Sequence, residues 1–328
     1  MTTGKGCTFR NCVVAALALA MPAAFASSSF SIAATFDSTI TSDTNAAAIE
    51  GTINSVISIY DSLLLVPGPS PVTANITFAE MSSGLGESSS AFGTVTYANY
   101  CGALQGFGTV GSGSLNCASD PLNGEAAGAG NINVKTVDLR ALNLGGAAVS
   151  DGTISLNTHI TNPGSPGSSL GFPLDAVVEH EIDEVLGLGS GIDNISSASA
   201  TITSQFGPFA EDLFRFSGPG TLIFNTETNG TTTCASTLGS AYFSVDSGTT
   251  NLAGFNNACN GGDWGDWDSA VSRVQNAFAD GSDPALGVEI TALEAVGFQS
   301  GTPEPATFGL IGASLAGLVI ARRRIAKR

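Results

Sequence analysis

The sequence predicts an α+β fold. One strand-like segment and one amphipathic helix come first, several strand-like segments follow, and an apolar central helix precedes a long irregular stretch. That order of elements is typical of a mixed α+β domain. Hydrophobic residues make up 43% of the 328 residues, which is enough to build a buried core.

The first elements are predicted from hydrophobic periodicity. Residues 31–36 (SIAATF) form the first predicted strand. Ser42 or Asp43 then caps a helix that runs to about residue 64, because its apolar residues fall on one helical face. Those residues are Ile49, Ile53, Val56, Ile57 and Tyr60. Residues 72–79 alternate in polarity like a strand.

The middle of the chain contains turn signals, strands and a second helix. Residues 82–90 are polar and glycine-rich, which predicts a turn region. Residues 93–97, 134–144 and 153–157 are further predicted strands. Residues 174–188 form a helix with a nearly continuous apolar stripe, so we expect it to be buried between a sheet and another layer.

Beyond Gly191 the pattern becomes irregular. Residues 242–245 predict a strand, and residues 271–279 and 289–296 predict two short helices. Turn-forming residues separate these segments. We therefore expect a C-terminal part with little regular structure.

The N-terminus has the composition of a secretory signal peptide. Lys5 and Arg10 precede a short apolar run and an Ala-Phe-Ala site. This pattern predicts a signal peptide over residues 1–26, cleaved after Ala26.

The C-terminus carries a second targeting pattern. Pro303, Glu304 and Pro305 precede an apolar stretch at 306–321 and an arginine-rich tail, which predicts a short membrane-spanning helix with a cytoplasmic tail. The triplet, helix and arginine cluster resemble the PEP-CTERM sorting signal of Gram-negative bacteria. The resemblance implies transient insertion into the inner membrane, cleavage by an exosortase-type enzyme, and delivery to the cell surface or extracellular matrix. A permanent single-pass anchor is the alternative.

Between these signals we expect two subdomains. Residues 27–195 form the N-terminal subdomain with the central helix, residues 196–302 form the C-terminal subdomain, and residues 303–328 are the sorting signal. Removal of both signals leaves four basic and 27 acidic residues, so the formal net charge falls from −17 to −23. Such an acidic body excludes a nucleic-acid binder, because phosphate contacts need clustered lysine and arginine.

Four cysteines remain after removal of the signals, namely Cys101, Cys117, Cys234 and Cys259. An even count in an exported chain favours disulfides, and three connectivities are open. We expect the local pairs Cys101–Cys117 and Cys234–Cys259, because each pair brackets one glycine- and asparagine-rich loop.

The chemical centre of the sequence is EHEIDEVLG, residues 179–187, on the central helix. His180 and Glu184 are four residues apart, so they project from one helical face. An imidazole nitrogen and a carboxylate oxygen placed in this way can bind one zinc ion, with Glu181 beside them as a general base. This is the spacing of the H-E-x-x-H metallopeptidase helix, with glutamate in place of the second histidine.

The motif leaves the third ligand open. Metzincins carry a histidine at the position of Ser190, and serine is a poor zinc ligand. Asp193 and Asp212 are the alternatives, and Arg215 either orients the ligands or forms an ordinary ion pair with Asp212. His159 is a third-ligand or substrate-contact alternative, although a surface loop position is expected for it.

Beyond the motif, the chain resembles a family of exported bacterial zincin-like metalloproteases of the H-E-x-x-E type, many with PEP-CTERM tails. The matching segments are 36–57, 151–157, 178–187, 212–217, 242–246 and 290–298, which are spread over most of residues 27–300. The resemblance implies a metzincin-like mixed twisted sheet with a long N-terminal helix and a central active-site helix. It also implies zinc bound by His180 and Glu184, and a metalloendopeptidase that uses Glu181 as base on a protein or peptide substrate.

Two other functions stay open. The missing second histidine, Ser190 and the absence of a Met-turn also fit a non-catalytic surface or matrix protein that retains a zincin-like scaffold. Residues 261–268 (GGDWGDWD) hold three aspartates on glycine turns, which fits Ca²⁺ binding by an adhesin without the spacing of an EF-hand. The two tryptophans there either line a cleft or fill the core.

Overall fold

Six strands form the main sheet of the structure, a computed structural model that describes residues 27–119, 130–147, 149–165, 171–191, 208–223, 241–258 and 260–301. The N-terminal and middle elements are β1 (Ser28–Phe36), α1 (Ser38–Thr41), α2 (Ala46–Leu63), β2 (Leu64–Val66), β3 (Val72–Glu80), β4 (Gly86–Ser90), β5 (Phe92–Thr96), α3 (Tyr97–Phe107), β6 (Asn131–Lys135), α4 (Thr136–Ala141), β7 (Gly152–Leu156), β8 (Thr161–Asn162), β9 (Phe172–Pro173) and α5 (Leu174–Leu186). The later elements are β10 (Arg215–Gly218), β11 (Thr221–Leu222), β12 (Tyr242–Phe243), β13 (Ala253–Gly254), α6 (Val288–Val296) and β14 (Gln299–Ser300).

The main sheet is mixed, with the strand order β14-β2-β1-β3-β7-β4. The pairs β1–β3 and β3–β7 are parallel, whereas β2, β14 and β4 pair antiparallel to their neighbours. The parallel pair β1–β3 needs a crossover connection, and α2 lies in it. The chain therefore has the predicted α+β class.

Helix α2 packs its apolar face against the core. The five residues that predict this face are all buried: Ile49, Ile53, Val56, Ile57 and Tyr60. The Tyr60 hydroxyl donates to the Glu179 carbonyl (3.0 Å) and to Oδ1 of Asp183 (2.7 Å). These bonds fasten α2 to the central helix α5.

The C-terminal part has a small four-stranded sheet in the order β11-β10-β12-β13. Trp264 and Trp267 are buried, and the Trp267 ring lies 5.1 Å from the Phe255 ring and 5.6 Å from the Phe243 ring, between centroids. The tryptophans therefore fill the core and do not line a cleft. Strand β14 returns to the main sheet, so residues on both sides of the predicted boundary at 195 share one sheet.

Several predicted elements are confirmed with small shifts at their ends. The first strand begins at Ser28, the long helix begins at Ala46 after the short α1, and the central helix ends at Leu186. The strands predicted at 72–79 and 153–157 and the helix predicted at 289–296 are β3, β7 and α6. The strand predicted at 93–97 is β5, displaced by one residue.

Three predictions were wrong. The turn region predicted at 82–90 contains the edge strand β4, whose sequence GESSS has no apolar alternation because neither face is fully buried. The strand predicted at 134–144 ends at Lys135, and α4 follows. No helix forms at 271–279, because its backbone pairs with residue 267 through the Trp267 N–H···O Gln275 and Ala277 N–H···O Trp267 bonds. The sequence also did not predict α3.

The predicted Cys101–Cys117 disulfide is present and joins α3 to the loop that follows it. Cys234 and Cys259 lie outside the described residues, as do residues 1–26 and the Pro303, Glu304 and Pro305 triplet. Within the described part of the chain, no helix has the length and apolarity needed to cross a membrane, and the span predicted at 306–321 is not in that part.

Candidate metal centre

Helix α5 forms one wall of a cleft of about 560 Å³, which we call the central cleft. Strand β4 forms a second wall, and two segments between residues 261 and 284 form the rest. The motif side chains His180, Glu181 and Glu184 all line this cleft. The i, i+4 spacing of His180 and Glu184 therefore places them on one face, as predicted.

Asp266 joins His180 and Glu184 in one group. Nε2 of His180 lies 3.8 Å from Oε1 of Glu184 and 3.9 Å from Oδ2 of Asp266. One donor atom from each of the three residues lies within 4.8 Å of the other two. Among the described residues, no other set of three acidic, histidine or cysteine side chains lies close enough together to hold a metal ion.

Each of the three side chains has its second polar atom bonded elsewhere. Nδ1 of His180 lies 3.0 Å from the Val274 carbonyl, which accepts its N–H. Oε2 of Glu184 accepts from the Ser88 hydroxyl at 2.5 Å, and Oδ1 of Asp266 accepts from Nε2 of Gln275 at 2.9 Å. These bonds leave Nε2, Oε1 and Oδ2 facing one another, as in metal sites whose ligands are oriented by outer partners.

Glu181 lies beside this group without joining it. Its side chain is buried, and Oε2 has no hydrogen-bond partner among the described residues. Gly86 of β4 makes the space for it, because a Cβ at that position would be 2.2 Å from Oε1 of Glu181. A close backbone approach of this kind requires glycine.

The charges of the group are strongly coupled. Burial lowers the pKa of His180, but Asp266, Glu181 and Glu184 outweigh burial and raise it to about 10. Burial and the nearby Glu184 raise the pKa of Glu181 well above its usual value. Burial also raises the pKa of Asp266, against the opposing effect of His180. Three carboxyl groups and one histidine thus share a largely buried site on the central cleft.

Asp266 is a candidate ligand that the sequence motif does not contain. The glycine–aspartate segment at 261–268 was noted only for Ca²⁺, because nothing in its spacing connects it to α5. In the structure, a Cβ at Gly265 would be 2.7 Å from the Gly189 Cα. This close approach brings Asp266 against the end of α5.

The other predicted site residues lie elsewhere. Asp212 accepts from the Ser190 hydroxyl (2.5 Å) and from the backbone N–H groups of Gly191 (2.9 Å) and Phe209 (2.8 Å). It therefore acts within this loop, and the structure does not bring it into the group at His180. Asp193 lies outside the described residues, and His159 is exposed on a loop.

Arg215 is buried and stabilises the segment that carries Asp266. It donates to the Trp264 carbonyl at 2.7 Å and to Oδ1 of Asn257 at 3.1 Å, and it stacks 4.2 Å from the Phe255 ring centroid. Among the described residues, no ion pair joins it to Asp212. Its contact with the ligands is thus indirect, through the backbone two residues before Asp266.

The three donors fit a zinc ion. Ligands about 2.0–2.1 Å from a tetrahedral zinc are roughly 3.3 Å apart. The two separations from Nε2 of His180 are 3.8 and 3.9 Å, and the Glu184 and Asp266 oxygens lie within 4.8 Å of each other, so the three donors need to contract around the ion. A neutral imidazole and two carboxylates also balance a divalent charge. The imidazole nitrogen favours zinc over calcium, because calcium sites in proteins are built from oxygen ligands.

The comparison with known proteins identifies the C-terminal segment. Residues 302–324 match the family model of the PEP-CTERM protein-sorting motif. The protein is exported and carries a C-terminal sorting signal. The motif implies processing by an exosortase-type sorting enzyme. No curated protein and no solved structure matches the chain.

Proposed function

We propose that the protein is an exported zinc-dependent peptidase with a zincin-like active centre. The observation that carries this proposal is the convergence of Nε2 of His180, Oε1 of Glu184 and Oδ2 of Asp266, each on a side chain whose other polar atom is held by a partner. Glu181 beside them completes the set of residues that zinc-dependent hydrolysis needs.

A zinc ion held by His180, Glu184 and Asp266 would polarise a peptide carbonyl and activate water for attack on it. Glu181 accepts the proton from the attacking water at its unpartnered Oε2 and returns it to the leaving amine. Its burial favours this role, because a raised pKa makes the carboxylate a stronger proton acceptor. Val274 keeps His180 in the tautomer that exposes Nε2 to the cleft.

The central cleft suits an extended polypeptide. Strand β4 is the edge of the main sheet, and its outer backbone has no partner strand among the described residues. Gly86, Glu87 and Ser88 of this strand line the cleft. A substrate that pairs with this edge gains main-chain hydrogen bonds, while apolar cleft residues such as Phe172 and Val177 take its side chains.

We further propose that residues 1–26 are the signal peptide that starts export in a Gram-negative bacterium. The tail at 306–321 would then hold the chain in the inner membrane until the sorting enzyme acts, and the cell surface or matrix would be the destination. The PEP-CTERM motif supports the route, and the basic N-terminal region with its apolar run supports the export step.

A single substitution tests the proposed reaction. Residues 27–302 hold every element of the fold and would be purified, loaded with zinc and assayed on unfolded protein substrates. We expect Glu181→Gln to retain zinc and to lower kcat by roughly 10²–10⁴-fold, because it removes a general base. The control is Glu50→Gln, an acid of α2 that does not line the central cleft, which should change kcat little. Cleavage by both variants at the wild-type rate would contradict the proposal.

The second candidate is a non-catalytic surface protein with a zincin-like scaffold. It is favoured by the electrostatics, because a protonated His180 among three carboxylates forms an ion cluster that holds together without a metal. The measurement that separates the two is the metal content of the purified protein and its titration with zinc and calcium. A protein that binds neither ion and cleaves no substrate would be the non-catalytic surface protein.

A further inference from the structure

A second groove lies on the face of α5 next to the central cleft, and we call it the acidic groove. It encloses about 700 Å³ between α2, α5 and residues 283–286. Pro284 lines both the acidic groove and the central cleft, so the two cavities adjoin at this residue. A chain that lies in the central cleft can therefore reach the groove with a side chain.

The groove contains a buried carboxylate without a counter-charge. Glu179 is 6% exposed and lines the groove, and its side chain has no hydrogen bond or ion pair in the part of the chain that the structure describes. Asp175 and Asp283 line the same groove. An ionised carboxylate that is buried in this way is costly unless a cation compensates it.

The basic residues of the exported body do not pair with the Glu179 carboxylate. Between residues 27 and 302 it has four basic residues, and each is engaged elsewhere. Arg140 pairs with Asp151, and Lys135 donates to the Ser90 hydroxyl. Arg215 bonds the Trp264 carbonyl, and Arg273 bonds the Leu252 carbonyl. No basic side chain of the described residues pairs with Glu179, so a cation that pairs with it would come from another molecule.

The shape and the walls of the groove indicate which cation fits. Small residues of α2 form part of its lining, and Ile59 and Leu63 stand at its edge with 40% and 36% of their surfaces exposed. Apolar walls around a deep carboxylate suit a long aliphatic stem with a charged tip. A metal ion fits less well, because the groove acids do not converge as the His180 group does among the described residues.

We propose that the acidic groove binds a lysine or arginine side chain of the polypeptide that occupies the central cleft, with Glu179 pairing with the charge. The inference rests on the proposed peptidase function, since it takes the occupant to be the substrate. It assigns a substrate class, namely polypeptides with a basic residue a few positions from the bond that is cut.

The test compares matched peptides on a protein that cannot turn them over. Fluorescent alanine-rich heptapeptides would carry lysine, arginine or norleucine at one position, since norleucine keeps the lysine stem without its charge. Binding to zinc-loaded Glu181→Gln protein would be measured by anisotropy at physiological salt. We expect the lysine and arginine peptides to bind about tenfold more tightly than the norleucine peptide, the size expected for a hydrogen bond to a charged group. Adding Glu179→Gln should remove this preference, whereas Glu50→Gln, an acid of α2 outside the groove, should leave it intact.

The outcomes separate the two proposals. Equal binding of lysine and norleucine peptides, or a lysine preference that survives Glu179→Gln, would overturn the assignment of the groove. Cleavage by the wild-type protein without preference for basic peptides would overturn it too, while supporting the peptidase. A lysine preference that depends on Glu179 in a protein that never cleaves would establish the groove and remove the peptidase.

Discussion

Two groups of buried acids lie near α5, and they differ in what their oxygen atoms face. In the candidate metal centre, Glu184 and Asp266 each give one oxygen to a side-chain donor and turn the other towards His180. Asp212 instead gives both oxygens to nearby donors, two of which are backbone N–H groups. Its neighbour Glu211 accepts the Gly189 N–H at 2.6 Å.

The difference separates a ligand from a structural acid. A carboxylate that accepts hydrogen bonds from backbone N–H groups stabilises a loop. Removing these bonds leaves buried N–H groups without an acceptor, which lowers the free energy of unfolding. A carboxylate with one oxygen oriented and the other open is arranged for an ion. We expect substitutions in the two groups to act on different measurements.

The largest effect is expected at the ligand that the motif does not contain. Asp266→Asn should weaken zinc binding by about a thousandfold, because it replaces an anionic ligand with an amide in a three-ligand site. Competition with a chelator of known affinity measures this. Asp212→Asn should leave zinc affinity unchanged and lower the free energy of unfolding by about 1–3 kcal/mol, because a buried amide donor loses its acceptor. If Asp212→Asn released the zinc, the division between the two groups would fail.

The next effect is expected at Gly86, which makes the space for Glu181. Gly86→Ala should displace the Glu181 carboxylate and lower kcat by roughly a hundredfold, since small errors in placement are costly in catalysis. Steady-state assays measure kcat, and zinc titration should show unchanged affinity. Gly102→Ala is the control, because a Cβ there meets no atom within 4 Å. Equal kcat values for Gly86→Ala and Gly102→Ala would show that the placement of the Glu181 carboxylate does not depend on a glycine at position 86.

A smaller effect is expected at the residue that orients Glu184. Ser88→Ala removes the hydroxyl that holds Oε2, so zinc affinity should fall about tenfold while the fold is kept. Isothermal titration of the metal-free protein measures the change. The neighbouring Ser89→Ala is the control, since Ser89 is exposed on the same strand. An unchanged affinity in Ser88→Ala would mean that the hydrogen bond does not orient the ligand.

The last expected effect is the pH dependence of the structural acids. Burial raises the pKa of Glu211 well above its usual value, so the folded state binds this proton more tightly than the unfolded state does. Protonated Glu211 contributes its full stabilisation at pH values below the pKa of the unfolded state. This stabilisation is lost as the pH rises towards the pKa of the folded state, by up to about 1.4 kcal/mol per pH unit. Glu211→Gln should therefore lose less stability between pH 5 and pH 8 than wild type. Denaturant unfolding of both proteins without zinc measures the difference, and parallel curves would contradict the assignment.

The local part of the site was predictable from the sequence, and the tertiary part was not. Helix α5 and the shared face of His180 and Glu184 follow from apolar periodicity and from spacing along one helix. Asp266 could not be assigned as a ligand, because its position depends on a loop held by Gly265, Trp267 and Gln275. Asp212 is nearer to the motif in sequence, yet its local hydrogen bonds decide its role.

The same contrast holds for the fold. Strands β1, β3 and β7 bury one face, so their pattern is visible in the sequence. Strand β4 has no fully buried residue and borders a cleft, so its sequence is that of a turn. The 271–279 segment has helical apolar spacing, but pairing with residue 267 overrides it and gives His180 the Val274 carbonyl. Strand β4 and the 271–279 segment, which are two walls of the central cleft, were therefore not predicted by periodicity.

The strand order of the main sheet also sets how the protein is displayed. Strand β14 ends at Ser300, just before the sorting motif at 302–324, and it forms one edge of the sheet. Strand β4, which borders the central cleft, forms the opposite edge, five strand spacings or about 24 Å away. A body attached through its C-terminal end would be held at the β14 edge of the sheet. The cleft then borders the edge of the sheet that lies opposite the C-terminal strand.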